Sequence, residues 1–130
     1  VSEMTKRWYG VSKGNGNDGV SHLHPDYYVF TDEPWVMARA AIIDDFMDNA
    51  SWCELAKEAD LEGDADYGIS AVIYGGPEGE TEFGAAVVIL EVFPADDEYH
   101  ENRRSDPYLI NYMSIEEAIR PEALKLARKG

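Results

Sequence analysis

The sequence predicts an α+β fold, a largely antiparallel sheet with helices packed on one face, in a single domain over residues 1–130. Three observations lead there. Runs of β-branched and aromatic residues at Tyr67–Tyr74 and Thr81–Phe93 flank a Gly-Gly-Pro-Glu-Gly turn and read as a hairpin. Apolar residues from Trp35 to Phe46 recur at helical spacing. Hydrophobic residues form 45% of the chain, enough to build a core and to exclude a wholly disordered acidic chain.

Lys6–Lys13 is a first strand, with Trp8, Tyr9 and Val11 as strand formers. Residues 13–19 hold three glycines and two asparagines, which predicts a mobile loop. Asp26–Thr31 is a second short strand. A helix follows over residues 33–49. Thr31 or Asp32 can cap it, Pro34 suits its first turn, and Trp35, Ala38, Ile42 and Phe46 form its apolar stripe. Ser51-Trp52-Cys53-Glu54 has the capping-box pattern and predicts a shorter helix from Trp52 to Ala59, burying Trp52 and Leu55. Asp60–Asp66 then reads as an acidic turn. The Ala85–Leu90 run within the second hairpin strand is apolar on both faces, as in a central strand. Ala95–Asp106 is polar and reads as an exposed loop, and Pro107–Met113 as a last strand or an irregular segment. Ser114-Ile115-Glu116-Glu117 opens a terminal helix, which Pro121 divides in two.

Charge is the least ordinary property of the chain. The net charge is −15, and residues 44–101 hold 17 of the 26 acidic residues against a single basic one, Lys57. Like charges at this density repel one another and cost folding stability, which points to a compensating use. Asp44, Asp45 and Asp48 fall in the last turns of a predicted helix, where carboxylates oppose the macrodipole. An anionic surface repels nucleic acid and anionic lipid, so the expected partner is a basic protein. The longest apolar run is too short to cross a membrane, and the N-terminal residues show no signal-peptide pattern. With one cysteine, Cys53, the expectation is a reducing, cytoplasmic setting.

Other motifs are weaker. Gly14-x-Gly16-x-x-Gly19 has dinucleotide-binding spacing, but Val20–Pro25 does not open the helix which that motif needs, so no cofactor is expected. Asp60, Glu62, Asp64 and Asp66 alternate like calcium ligands. Counted from Asp60, however, Ala65 and Ala71 stand where an EF-hand loop needs glycine and glutamate. His22, His24 and Asp26 alternate, and on a strand they would share a face, which keeps a metal-dependent site as an alternative. Cys53 reads as a buried small apolar residue, and no nucleophile constellation stands out.

In its size, its concentration of charge from Asp44 to Glu101 and its lack of a catalytic motif, the chain resembles the small acidic inhibitors that phages deploy against host defences, the anti-CRISPR and anti-restriction DNA-mimic proteins. That group shares no common fold. The resemblance implies a role: blocking a nucleic-acid-binding complex without binding nucleic acid directly. The expected contact residues, read from the charge pattern, are Asp44, Asp45, Asp48, Glu54, Glu58, Asp60, Glu62, Asp64 and Asp66, with a second patch at Asp96, Asp97, Glu98 and Glu101. A self-assembling acidic accessory protein, such as a homodimer, is a further alternative.

Overall fold

The computed structural model describes residues 5–16, 18–76 and 86–129. Six strands form one sheet: β1 (Arg7–Gly14), β2 (Tyr27–Thr31), β3 (Asp60–Asp64), β4 (Gly68–Tyr74), β5 (Ala86–Pro94) and β6 (Asn111–Tyr112). Their order across the sheet is β3-β4-β5-β1-β2-β6. Every neighbouring pair is antiparallel except β2 and β6. The hairpin of β4 and β5 is present, and β5 is central, pairing with β4 on one side and β1 on the other. The Pro77–Gly79 part of the expected turn and the start of the expected strand at Thr81 lie outside the described residues.

The helices are α1 (Pro34–Asp45), α2 (Ala50–Lys57), α3 (Glu98–Arg104), α4 (Ile115–Ala118) and α5 (Pro121–Lys129). Alternate strand residues, Tyr9 and Val11 on β1, Ile69, Ala71 and Ile73 on β4, and Leu90 and Val92 on β5, turn to one face. There they meet the buried sides of α1, α2, α4 and α5 in the main core. Helix α1 lies against β4, β5, α2 and α5 and so is buried almost all round. Met37, Ala38, Ala40, Ala41, Ile42 and Ile43 are inside, whereas Trp35, expected in the stripe, is 41% exposed. A stripe reading assumes one partner layer, and α1 has several.

The opposite face carries a smaller cluster of Tyr28, Phe93 and Ala95, with Trp8 and Leu109 against it. Gly10 is required here. A Cβ at this position would stand 2.6 Å from Cζ of Phe93, so the ring lies directly on the β1 backbone. His22 stacks on that ring at 4.1 Å between centroids.

Several boundaries differ from the sequence reading for physical reasons. Asn49, not Ser51, caps α2, its side chain accepting from the Trp52 N–H. The helix therefore starts earlier and ends at Lys57. Residues 60–64 are a strand rather than a turn, because a tight hairpin through Gly63 (φ 109°) and Gly68 (φ 150°) zips them onto β4. The expected loop at residues 95–106 contains α3. Asp97 caps it by accepting from the His100 N–H, Glu98 and Glu101 suit its first turn, and Arg103 and Arg104 suit its last. Arg104 also stacks over Trp8 at 4.6 Å, fastening α3 to the sheet. The predicted division at Pro121 is present, with the Ser114–Glu117 capping box at the head of α4.

Candidate partner-binding surface

The thirteen acidic residues expected at a contact surface fall into three physical groups: those within ion-pair reach of a cation, those set at the N-terminus of α3, and those with neither. Asp44, Asp45 and Asp48 at the end of α1 are largely matched. Arg120, just before α5, donates from its backbone N–H and its Nε to Asp44 Oδ1 at 3.2 and 2.8 Å, and from a guanidinium nitrogen to the Asp44 carbonyl. It also reaches Asp48 at 3.4 Å. Lys13 Nζ lies 2.9 and 3.1 Å from the two Asp45 oxygens. The cation that helix physics calls for at the α1 C-terminus is thus supplied from α5 and β1 rather than from the helix itself. Asp44 and Asp45 thus tie α1 to the segment before α5 and to β1, while the Asp48 side chain stays 94% exposed.

Glu54, Asp66 and Asp96 are also paired. Glu54 pairs with Lys57 at 2.9 Å. Arg7 makes a two-point contact with Asp96, at 2.7 and 2.9 Å, and reaches Asp66 at 3.5 Å. The Arg7 guanidinium holds the Asp96 carboxyl below its ordinary range. Asp97, Glu98 and Glu101 serve the N-terminus of α3.

What remains is Glu58, Asp60, Glu62 and Asp64, none of which forms an ion pair among the described residues. All four are exposed. Asp60, Glu62 and Asp64 alternate along β3, the outermost strand of the sheet, so they share one face. It is the face on which α3 packs farther along the sheet, over Tyr28 and Phe93; the helices therefore do not all lie on one face, contrary to the sequence expectation. Leu61, between them, packs against the main core on the other face. Glu58 closes α2, immediately before the strand. Asp64 Oδ1 accepts from the Asp66 N–H and shapes the β3–β4 turn. The Arg39 guanidinium donates to the carbonyls of Ala56 and Ala59, at 3.4 and 2.6 Å, and feels the charge of Asp60 without forming an ion pair with it. Tyr74, across the hairpin, has its phenol pushed up, chiefly by the charge of Glu62, then by burial, then by Asp60.

Two cavities adjoin these groups. One, of about 400 Å³, lies where α1 ends over the sheet and is lined by Lys13, Asp26, Tyr27, Asp44, Asp45 and Tyr112 among others. Burial, reinforced by Asp44 and Asp45, keeps the Tyr27 phenol protonated far above its ordinary value. The other, of about 270 Å³, opens at the head of β3. Sequence reasoning missed both, since each is assembled from elements distant along the chain.

The alternative site is not assembled. Residues 20–26 are not a strand, so His22, His24 and Asp26 do not share a face. His22 Nε2 lies 2.5 Å from Glu91 Oε1, Asp26 accepts from the Lys13 N–H, and His24 is exposed. Among the described residues no group of three or more His, Cys, Asp or Glu is placed to hold a metal ion. Cys53 is buried, as expected. No described helix is long and apolar enough to cross a membrane. Compared with protein-family models, curated proteins and solved structures, the chain finds no match in any of the three.

Proposed function

We propose that this protein is an acidic protein-binding inhibitor that occupies the basic surface of a nucleic-acid-binding complex, in the manner of the phage-encoded anti-CRISPR and anti-restriction proteins. One observation carries the reading. Asp44, Asp45, Asp48, Glu54, Asp66 and Asp96 of the acidic stretch each lie within ion-pair reach of a cation, yet the run Glu58, Asp60, Glu62 and Asp64, leading into and along an edge strand, gathers four carboxylates with no ion-pair partner among the described residues. Unpaired like charges in a row cost stability, so their retention calls for a partner that supplies the missing cations.

The spacing supports mimicry of nucleic acid. Two residues of strand advance about 6.6–6.8 Å, and two phosphate steps along one strand of duplex DNA advance about 6.8 Å. Asp60, Glu62 and Asp64 therefore present negative charge at every second phosphate step. A groove of lysines and arginines built for a phosphate backbone meets negative charge in register with alternate phosphates. Two copies of this protein meeting edge to edge through β3 would instead bring carboxylate against carboxylate, which disfavours self-assembly by that route.

The test is competition. Immobilised protein is exposed to bacterial lysate, and the retained complex is challenged with duplex DNA and with a salt gradient. The expected result is a nucleic-acid-binding complex displaced by DNA and by moderate salt. Reversal of Asp60, Glu62 and Asp64 to lysine should lower its capture by more than about tenfold, as for desolvated charge pairs. A complex that keeps its DNA while bound, or capture unchanged by the reversals, overturns the proposal.

A further inference from the structure

The 270 Å³ cavity at the head of β3 adds detail to that surface. Its buried walls are apolar: Ala59 just after α2, with Val72 and Ile73 from β4, and the half-buried Leu55 beside them. Its exposed members are of another kind, the ring of Tyr74 and the carboxylates of Glu58 and Asp60. The volume lies below the roughly 300–1,000 Å³ of pockets that enclose whole small-molecule ligands. It suits a single side chain with an apolar stem and a cationic, planar head. Methylenes gain from the apolar wall, while the head keeps its charge at the mouth. An aromatic face and two carboxylates at that mouth match a guanidinium better than an ammonium, because a guanidinium stacks on rings and forks onto carboxylates.

We infer that this cavity is the receptor for one arginine side chain of the basic partner, the anchor of the contact. The inference rests on the reading of the acidic edge as the contact surface and goes beyond it by separating a shaped pocket from a diffuse field. Asp60 belongs to both, the first carboxylate of the β3 row and a wall of the cavity. A partner segment running along β3 can therefore place its arginine in the pocket and further basic residues against Glu62 and Asp64.

The test uses the full chain, isotopically labelled, titrated by NMR with an acetylated Lys-Thr-Arg-Thr-Lys amide peptide. Two control peptides carry lysine or the neutral isostere citrulline in place of the arginine. The arginine peptide should shift the backbone signals of Ala59, Val72 and Tyr74, bind a few-fold tighter than the lysine peptide, and bind about tenfold tighter than the citrulline one. Tyr74→Leu keeps apolar bulk but removes the aromatic face, and should weaken the arginine peptide by about three- to fivefold. Tyr67→Leu, in the exposed β3–β4 turn and outside the cavity, should not. The amide spectrum of each variant reports its fold in the same experiment. If Tyr74→Leu and Glu58→Gln leave affinity unchanged while Glu62→Gln with Asp64→Asn lowers it, the acidic surface stands and the arginine pocket is wrong. If none of these changes affects binding, or the arginine peptide does not bind, both readings fall.

Discussion

Replacing Glu62 by glutamine should stabilise the protein, and the gain should vanish with salt. Glu62 is the middle carboxylate of β3, with Asp60 and Asp64 two residues away on either side and no ion-pair partner among the described residues. The side-chain spacing is about 6.6 Å, so each of the two pairs repels by ~0.6 kcal/mol in water before screening. A Debye length of about 30 Å at 0.01 M salt leaves ~1 kcal/mol for both pairs, about 8 Å at 0.15 M leaves ~0.5, and about 3 Å at 1 M leaves ~0.1. Repulsion that survives in the unfolded chain makes these upper bounds. Glutamine keeps the shape and an acceptor oxygen beside Tyr74, so charge is the main change. Urea unfolding at the three salt concentrations measures the effect, read at constant denaturant slope. A variant less stable than the parent, or a gain that does not respond to salt, would mean that a cation already satisfies Glu62. The premise of an unpaired acidic edge would then be wrong.

Other outcomes follow from the packing. Gly10→Ala should destabilise by about 1–3 kcal/mol, because the added carbon meets the Phe93 ring, on which His22 is also stacked; thermal or urea unfolding measures it. Asp44→Asn should lower the melting temperature, whereas Asp48→Asn, whose side chain is 94% exposed and whose one contact to Arg120 is long, should not; paired calorimetric scans decide. His100 is held below its ordinary value of 6.5, chiefly by burial, and its Nδ1 faces the Tyr28 hydroxyl at 2.8 Å. A depressed folded value means that the neutral ring contributes stability in full above the unfolded value. That contribution is lost as pH falls through the lowered folded one. NMR titration of the ring should therefore give a midpoint below 6.5, and stability should decline from pH 7 toward 5 by more in the parent than in His100→Asn.

The elements legible in the sequence were those whose signals are local. The capping box at Ser114, the proline that starts α5, the doubly apolar run that makes β5 central, and the helical period of α1 each depend on residues within one or two turns. The failures have one cause. Strand β3 is built of Asp, Leu, Glu and Gly, poor strand formers apart from Leu61, and exists because β4 is hydrogen-bonded beside it. Helix α3 carries its start signal at Asp97, but without an apolar stripe it reads as loop; His100, buried against Tyr28 and Phe93, anchors it instead. The site divided along the same line. Net charge and its concentration were visible in the chain, but the cations that meet Asp44 and Asp96 come from far along it. Arg120 is 76 residues from Asp44, and Arg7 is 89 from Asp96.

The proposed role of the acidity can be weighed against two plainer ones. Among the described residues, carboxylates without an ion pair also occur singly elsewhere, at Asp18, Asp32, Asp106 and Glu122, as a solubilising charge would place them; the row on β3 differs in its regular spacing. If it served only to guard an open sheet edge against aggregation, one inward-facing charge or a lysine on β3 would be enough. The edge instead carries Asp60, Glu62 and Asp64 on a single face, with Glu58 leading into it and an apolar-walled cavity at its head. The opposite edge, β6, is protected in a different way, by being two residues long. A strand that is negative along one face, outermost among the described strands and adjoined by a pocket with an anionic mouth is more than edge protection requires. Those added features are what recognition of an extended basic segment needs: backbone groups to pair with, charges to set the register, and a recess to fix one side chain.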